Sequence, residues 1–375
     1  MSLRIAINTR LLLPGRLEGI GWFTYQTFKR IAIAHPEVEF HFIFDRNYDQ
    51  QFVFADNIKP VALFPQARHP VLYYLFFEKA LPAYLKKIDP VLFVSPDGLL
   101  SLSWKGCQIP VFHDLNFMHN PDYLPYLSSK YYRWRFPKFA QKAHRIATVS
   151  EYSKADIVKT FNYPAQQVDV VYNGVNEAFK PVSPEIAFET RKNFTGGNPY
   201  FVYVGSLHKR KNIDNMLLAF EAFKATDKQN HKMVIVGEHM FGTNGLQKVL
   251  DAMKHREDVI FTGRLYNDQL SRVVASASAL LLVSYFEGFG IPIIEAMKCD
   301  VPVISSNVTS MPEVAGNAAL LVNPHSVQEI AQSMEKVAND QPLRLKLIEN
   351  GKLIRQQFSW DQTAERMWNC MTHCF

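Results

Sequence analysis

The segment Ser284-Tyr285-Phe286-Glu287-Gly288-Phe289-Gly290-Ile291-Pro292-Ile293-Ile294-Glu295-Ala296-Met297 holds the residues best placed for chemistry in this 375-residue sequence. The apolar run Ala279–Val283 reads as a strand that feeds a Gly-x-Gly turn. A helix follows with Pro292 in its first turn, where a missing N–H costs little. Small residues let backbone approach an anion, and the N–H groups and dipole of a helix start favour a diphosphate. Glu295 lies five residues beyond Gly290, hence roughly 7–8 Å along the axis at about 1.5 Å per residue. That step matches the reach from a diphosphate to the hydroxyls of an attached ribose. Glu287 sits on the turn itself, beside the other end of such a diphosphate, and carboxylates accept hydrogen bonds from hydroxyls. Either Glu alone reads as an ordinary surface residue; the pair together with the turn points to a ligand.

Lys209-Arg210-Lys211 opens a predicted helix at 211–224. Cations at a helix start oppose the dipole, so the cluster implies an anion that offsets the penalty; the bland reading is a basic helix entrance. His113-Asp114 closes the apolar run Ile109–His113. The residues alone allow a general-base pair or a satisfied core histidine beside a turn.

The elements that must position these groups are short β-branched runs alternating with amphipathic stretches, the pattern of a parallel α/β fold. In the first half strands are predicted at Arg4–Asn8, Glu39–Phe44, Leu92–Val94, Ile109–His113, Arg145–Val149 and Val168–Tyr172, with helices near 20–34, 70–87, 122–142 and 151–160. Between Glu177 and Asn198 the chain turns polar and proline-punctuated and reads as a linker. Alternation resumes with strands at Tyr200–Val204, Met233–Val236, Val259–Phe261, Ala279–Val283, Val301–Ile304 and Ala319–Val322. Helices fit near 211–224, 245–255, 267–276, 291–298, 326–338 and 342–357, and a last amphipathic stretch spans Trp360–Thr372. Two doubly wound sheets in series place ligands at the carboxyl ends of their strands, hence in a cleft between them.

The length favours two domains, and 47% apolar with 20% charged residues fits a globular protein. No apolar run is long enough to span a bilayer, and Met1-Ser2-Leu3-Arg4-Ile5 leads into a strand without a signal-peptide core. Four cysteines, at 107, 299, 370 and 374, lack paired metal spacing and read as reduced thiols of a cytoplasmic protein. The net charge of +6 lies wholly in the first half: residues 1–180 hold 21 Lys+Arg against 15 Asp+Glu, and residues 181–375 hold 20 against 20.

The segment Glu287 to Glu295 resembles the Glu-x7-Glu signature of the retaining glycosyltransferase family 4. Other segments resemble that family in the same order: Gly19-Ile20-Gly21-Trp22 its glycine loop, Val111-Phe112-His113-Asp114-Leu115 its His-Asp-Leu segment, and Thr148–Ser153 its Ser-x-x-Ser turn. Val171–Val175 resembles its Asn-Gly-Val, Val204-Gly205-Ser206-Leu207 through Arg210-Lys211-Asn212 its basic phosphate loop, Ser310–Val314 the turn after the Glu pair, and Phe358-Ser359-Trp360 the start of its closing helix. The resemblance implies the GT-B fold: two Rossmann-like α/β domains facing across a cleft, here 1–178 for the acceptor, 179–358 for the donor, and a crossover helix at 359–375 that packs on the first domain.

It further implies that Glu287 holds donor-sugar hydroxyls and Glu295 the ribose, and that Gly288, Phe289 and Gly290 offer N–H groups to the diphosphate. Lys211 and Arg210 would neutralise the leaving diphosphate, and His113 would contact the sugar near the reacting carbon. Gly19 and Gly21 would close the first-domain side, and backbone at Gly263-Arg264-Leu265 would bind the base. The family often has Arg directly after the phosphate-loop glycine; here that position is Ser206, and Arg210 is expected to substitute. The implied activity is transfer of a hexose, mannose favoured, from a GDP-, UDP- or ADP-sugar to a glycan or lipid-linked acceptor in cell-surface polysaccharide synthesis. With no clustered His/Asp/Cys ligand set in the sequence, neither cofactor nor metal is expected. Same-face attack, with the departing phosphate oxygen taking the acceptor proton, is favoured over a covalent intermediate on Glu287.

Tyr123 to Arg145 carries six basic residues (Lys130, Arg133, Arg135, Lys138, Lys142 and Arg145), no acidic one and seven aromatics, with Tyr73–Phe77 as a second aromatic group. Such a face suits peripheral contact with an anionic membrane at its inner surface, or is core aromatics with a solvated basic face. Nucleic acid is not expected as a partner. A dinucleotide oxidoreductase is disfavoured because no tight G-x-G-x-x-G turn follows Asn8 or Gly205. A same-fold nucleotide-sugar epimerase and a non-catalytic sugar- or partner-binding protein are the remaining alternatives.

Overall fold

The computed structural model describes residues 3–238 and 244–375; the reading of Met1-Ser2 falls outside the described residues. The chain forms two compact units, one of residues 1–174 with 359–375 and one of residues 175–358.

The first unit is built on a parallel sheet of β1 (Arg4–Asn8), β2 (Glu39–Phe44), β3 (Ile58–Ala62), β4 (Leu92–Ser95), β5 (Cys107–Phe112), β6 (Ile146–Thr148) and β7 (Val168–Val170), in the order β3-β2-β1-β4-β5-β6-β7. Its central strands carry buried apolar middles, as in Ile5-Ala6-Ile7 and Leu92-Phe93-Val94, the pattern of parallel strands covered on both faces. β3 escapes the sequence pattern: it is short and contains Pro60, which an edge strand paired only with β2 tolerates. Phe76, Phe77, Leu81, Leu85, Phe112, Phe136 and Phe139 form the apolar core under one face.

The C-terminal helix Trp360–Thr372 packs in this unit against the helix Gly19–Ala34. Ser359 caps it, with Oγ accepting from the Gln362 N–H. Arg30 Nε donates to Asp361 at 2.6 Å, His35 stacks on Trp368 with ring centroids 3.6 Å apart, and Thr363 Oγ1 donates to the Tyr172 carbonyl at 2.7 Å. Gly174 lets Trp360 approach: a Cβ there would lie 2.3 Å from the Trp360 nitrogen.

The second unit has a parallel sheet of β8 (Tyr200–Val204), β9 (Lys232–Val236), β10 (Val259–Gly263), β11 (Ala279–Leu282), β12 (Val303–Ser306) and β13 (Ala319–Val322), in the order β10-β9-β8-β11-β12-β13. Both sheets reverse strand order once, between β1 and β4 and between β8 and β11. At such points the two following loops diverge and leave a crevice at the carboxyl ends.

The linker reading of Glu177–Asn198 is corrected: Pro184–Thr195 is a helix. Ser183 is its N-cap, Pro184 and Glu185 occupy its first turn, and Gly196 at φ 63° ends it in the left-handed region. Arg191 Nε ties it to the Ser276 carbonyl at 3.0 Å. The polar composition belongs to an exposed helix.

The reading of the cysteines is corrected as well. Cys107 and Cys374, 267 residues apart, form a disulfide, while Cys299 and Cys370 are buried thiols. His144 lies beside the bridge, its ring nitrogen and the two sulfurs all within 4.8 Å of one another. The sequence shows no ligand set because these residues meet only when β5, the loop before β6 and the chain end pack together.

Candidate functional site

In the second unit the switch point between β8 and β11 gathers the charged residues. Gly205, at φ 151°, follows β8, and the chain returns through a single helical turn Lys209–Lys211. Asn212, in the left-handed region at φ 59°, then starts the helix Ile213–Lys224. Its side-chain amide donates to the Val283 carbonyl at 2.9 Å and the Pro324 carbonyl at 2.7 Å, fastening this loop to the end of β11. Gly237, after β9, is squeezed against the same loop: a Cβ there would stand 1.9 Å from the Gly205 oxygen.

Glu287 follows β11 and is 6% exposed. Lys211 Nζ donates to its Oε1 at 2.5 Å, Ser284 Oγ to the same oxygen at 2.7 Å, and Arg210 Nη1 to Oε2 at 2.8 Å. Burial pushes this carboxyl upward, but Lys211 and Arg210 outweigh it and bring the pKa from 4.5 to about 2. Arg210 also donates to the Phe286 carbonyl at 3.0 Å, and the Tyr285 N–H returns a bond to the Arg210 carbonyl at 2.8 Å. Glu287, Arg210 and Lys211, singled out in the sequence, thus form one cluster.

The Gly-rich turn ends at Gly290, φ 97°, which caps the helix Ile291–Lys298 with Pro292 in its first turn. Ser310 Oγ donates to the carbonyls of Glu287 at 2.9 Å and Phe289 at 3.2 Å, and Thr309 Oγ1 accepts from the Glu287 N–H at 3.3 Å. These bonds fix Glu287, Gly288 and Phe289 from outside the motif. Glu295 lies on the helix, half-buried, its carboxyl with no hydrogen bond or ion pair among the described residues. Burial alone pushes its carboxyl up to about 8. Gly263, at φ 68°, ends β10 after a register irregularity, and Arg264 lies over the Tyr266 ring at 5.5 Å. Ser206 contributes its carbonyl to the Tyr203 hydroxyl at 2.9 Å.

In the first unit, His113 follows β5. Its Nε2 donates to the Pro96 carbonyl at 2.8 Å, and its ring meets Phe23 edge-on with centroids 5.1 Å apart. Burial lowers its pKa, against the upward effects of the Pro96 bond and of Asp114 and Asp97. The ring is therefore neutral, with Nδ1 as an acceptor that meets no partner among the described residues. The next residue after Pro96, Asp97, is held by Arg10, Asn8 and Ser95 at the β1/β4 switch point. Gly19 and Gly21 occupy the first turn of the helix Gly19–Ala34 rather than a loop. At Gly21 a Cβ would come 2.9 Å from the Leu11 carbonyl oxygen, so the glycine permits close packing there; at Gly19 a Cβ meets nothing within 4 Å.

Ser284, Asn212 and Ser310 lie inside segments that the sequence singled out but were given no role there, and Thr309 was not singled out. Ser284 stood three residues from Glu287 in plain view. The others are 75, 23 and 22 residues from Glu287 in sequence, and only the fold brings them to it or to the β11 end.

Two parallel-sheet Rossmann-like units, the second with a buried glutamate and two cations at its switch point, define the GT-B class. Residues 185–354 match the family of glycosyl transferases group 1, and residues 19–179 match glycosyltransferase family 4. O-antigen chain mannosyltransferase B of Escherichia coli is 26% identical over 364 residues, covering 94% of this chain and 95% of the relative. O-antigen chain mannosyltransferase RfbU of Salmonella typhimurium is 30% identical over 217 residues, covering 58% of this chain and 57% of the relative. Among solved structures, Anabaena HepE in complex with UDP-glucose superimposes with a TM-score of 0.76 at 16% identity, over 99% of this chain and 100% of that one. The chain belongs to glycosyltransferase family 4 and is a glycosyltransferase.

Proposed function

We propose that the chain transfers mannose from a nucleotide-diphosphate sugar, GDP-mannose in the first instance, to a glycan or lipid-linked acceptor in cell-surface polysaccharide synthesis, with retention of configuration. The observation that carries the reading is the buried Glu287 held between Lys211, Arg210 and Ser284 at a glycine turn, with Glu295 on the helix that directly follows, its carboxyl without a partner among the described residues. The mannosyltransferase names of two relatives support the sugar, and the UDP-glucose bound to a structural neighbour supports a nucleotide-sugar as donor.

In this reading the turn Gly288–Gly290 and the start of the helix Ile291–Lys298 receive the diphosphate. Lys211 and Arg210 meet its negative charge where a divalent metal would otherwise serve, so transfer needs no metal. Glu295 accepts from the ribose hydroxyls, Gly263 and Arg264 offer backbone to the base, and Gly19, Gly21 and Ser206 border the donor. His113, neutral, accepts from a sugar hydroxyl at Nδ1. Glu287 orients the sugar rather than attacking it, because both its oxygens are engaged and a carboxylate with a pKa near 2 is a weak nucleophile. Same-face attack follows, the leaving phosphate oxygen taking the acceptor proton while Arg210 and Lys211 stabilise its charge.

The test is a thermal-shift panel of GDP, UDP, ADP and their sugars without metal. A ligand at 100 times its Kd stabilises the fold by about 2.7 kcal/mol. A shift with one nucleotide class, abolished by Glu295→Ala, is expected; no shift with any nucleotide overturns the reading.

A second reading concerns where the protein works: peripheral contact with an anionic membrane through residues 123–145. The structure narrows the sequence-level surface. Tyr131, Phe136 and Phe139 are core, as are Phe76 and Phe77, and Arg135 is buried against Glu78. One exposed helix face is left, carrying Tyr126, Leu127, Lys130, Arg133, Trp134 and Lys138. Lys138 caps the Trp134 ring at 4.1 Å. Among the described residues no helix is long and apolar enough to cross a membrane. Binding to anionic vesicles that Trp134→Ala weakens supports this reading, and binding indifferent to anionic lipid removes it.

A further inference from the structure

We propose that Cys107, His144 and Cys374 form a soft-metal site, with Zn²⁺ as its ion, when the Cys107–Cys374 disulfide is reduced. The three side chains come from separate anchored places. Cys107 opens β5, paired with Leu92 of β4. His144 is fixed beside it, its backbone N–H donating to the Gln108 carbonyl at 2.9 Å. Cys374 follows the C-terminal helix, its N–H donating to the Met371 carbonyl at 3.0 Å. Their two sulfurs and one ring nitrogen lie within 4.8 Å of one another.

Tetrahedral zinc with two thiolates and one imidazole needs ligand–ligand separations of about 3.5–3.8 Å, from Zn–S near 2.3 Å and Zn–N near 2.0–2.1 Å. The Cα atoms of the two cysteines are 6.2 Å apart; side-chain rotation about Cα–Cβ opens the sulfurs to that spacing with the backbone in place. Two thiolates and a neutral imidazole match zinc's preference, and a water completes the shell. His144 is exposed while the cysteines are half-buried, so an ion has a path in. None of the three has a part in the transfer chemistry above.

A phosphine or dithiol reductant supplies two electrons to the disulfide, two protons from water or the reductant complete two thiols, and zinc then displaces those protons on binding. Oxidation by a disulfide-class oxidant reverses it: the two thiolates give up two electrons, the S–S bond re-forms and the ion leaves. The C-terminal helix stays tied to β5 in both states, by a covalent bond in one and by the ion in the other.

The full-length protein, reduced with a phosphine and freed of metal by a chelator, is titrated with Zn²⁺ against a chromophoric competitor and with Co²⁺ as a spectroscopic stand-in. One equivalent should bind, with a thiolate-to-cobalt charge-transfer band and tetrahedral d–d bands. Cys107→Ser or Cys374→Ser should weaken binding at least a hundredfold, His144→Asn about tenfold, and Cys370→Ser should leave it unchanged. The exposed His144 keeps the test valid if a cysteine variant fails to fold. No cobalt–thiolate band in the reduced wild type, or zinc affinity unchanged by Cys374→Ser or His144→Asn, overturns the proposal. The readout involves no donor or acceptor and is therefore separate from the proposed transfer activity.

Discussion

With Glu295 on the donor's ribose, as proposed above, donor binding should depend on pH in a calculable way. The Glu295 carboxyl is half-buried without a partner among the described residues, and burial alone raises its pKa to about 8. At neutral pH it is mostly protonated. A carboxylate accepts from both ribose hydroxyls, whereas the protonated group has given up part of its accepting capacity. On that proposal, donor binding pulls the proton off. If the carboxylate form is the one that binds, apparent Kd scales as 1 + 10^(pKa − pH), and affinity rises about 50-fold between pH 6 and pH 8. The assay is isothermal titration with an intact nucleotide-sugar, whose diphosphate diester keeps its charge over this range. Glu295→Gln should bind more weakly at pH 8 and lose the pH dependence. Affinity flat with pH in the wild type, or equally sloped in Glu295→Gln, refutes the reasoning. The same raised pKa makes the native state bind more protons than the unfolded chain between pH 4.5 and 8, so this group's contribution to stability declines as pH rises through 8.

Glu287→Ala leaves two cations in a buried site without their carboxylate, and urea denaturation should report a loss of about 3–5 kcal/mol. The double change Lys211→Ala with Glu287→Ala should cost less than the sum of the singles. Gly237→Ala places a methyl against the Gly205 oxygen and should lower stability by about 2–4 kcal/mol, with weaker nucleotide binding seen by thermal shift. His113→Ala should reduce kcat/KM roughly tenfold to a hundredfold, the worth of one buried hydrogen bond, while nucleoside diphosphate affinity stays put. Because the native state lowers the His113 pKa below 6.5, its contribution to stability is lost as pH falls through 6.5, and an urea series from pH 8 to 5 on wild type and His113→Phe should show the difference.

The alternation of apolar runs and helical periods was enough to place β1, β2, β8 and β13 at their observed bounds, because each is a short, mainly apolar run set off by polar turns or helical stretches. β3 was hidden by its proline and half-exposed residues. The helix Pro184–Thr195 was hidden by its composition, although Ser183 and Gly196 mark its two ends by ordinary capping chemistry. At the site, Glu287, Arg210 and Lys211 were legible as separate signals 76 or 77 residues apart, and their direct contact is a product of β8 and β11 being neighbours. The clamp of Thr309 and Ser310 on the glycine turn had no local signature, since it depends on β12 lying beside β11. The meeting of Cys107 with Cys374 was out of reach for the same reason: spacing in sequence says nothing when the partners come from opposite ends of the chain.

The central claim is tested most directly by NMR of the product formed from GDP-mannose and a mannose-containing acceptor, with wild type and Glu287→Ala side by side and no metal added. GDP release coupled to a new glycosidic bond that keeps the donor's anomeric configuration is expected, with loss of that product in the variant. A product of inverted configuration, or undiminished transfer by Glu287→Ala, would contradict the claim.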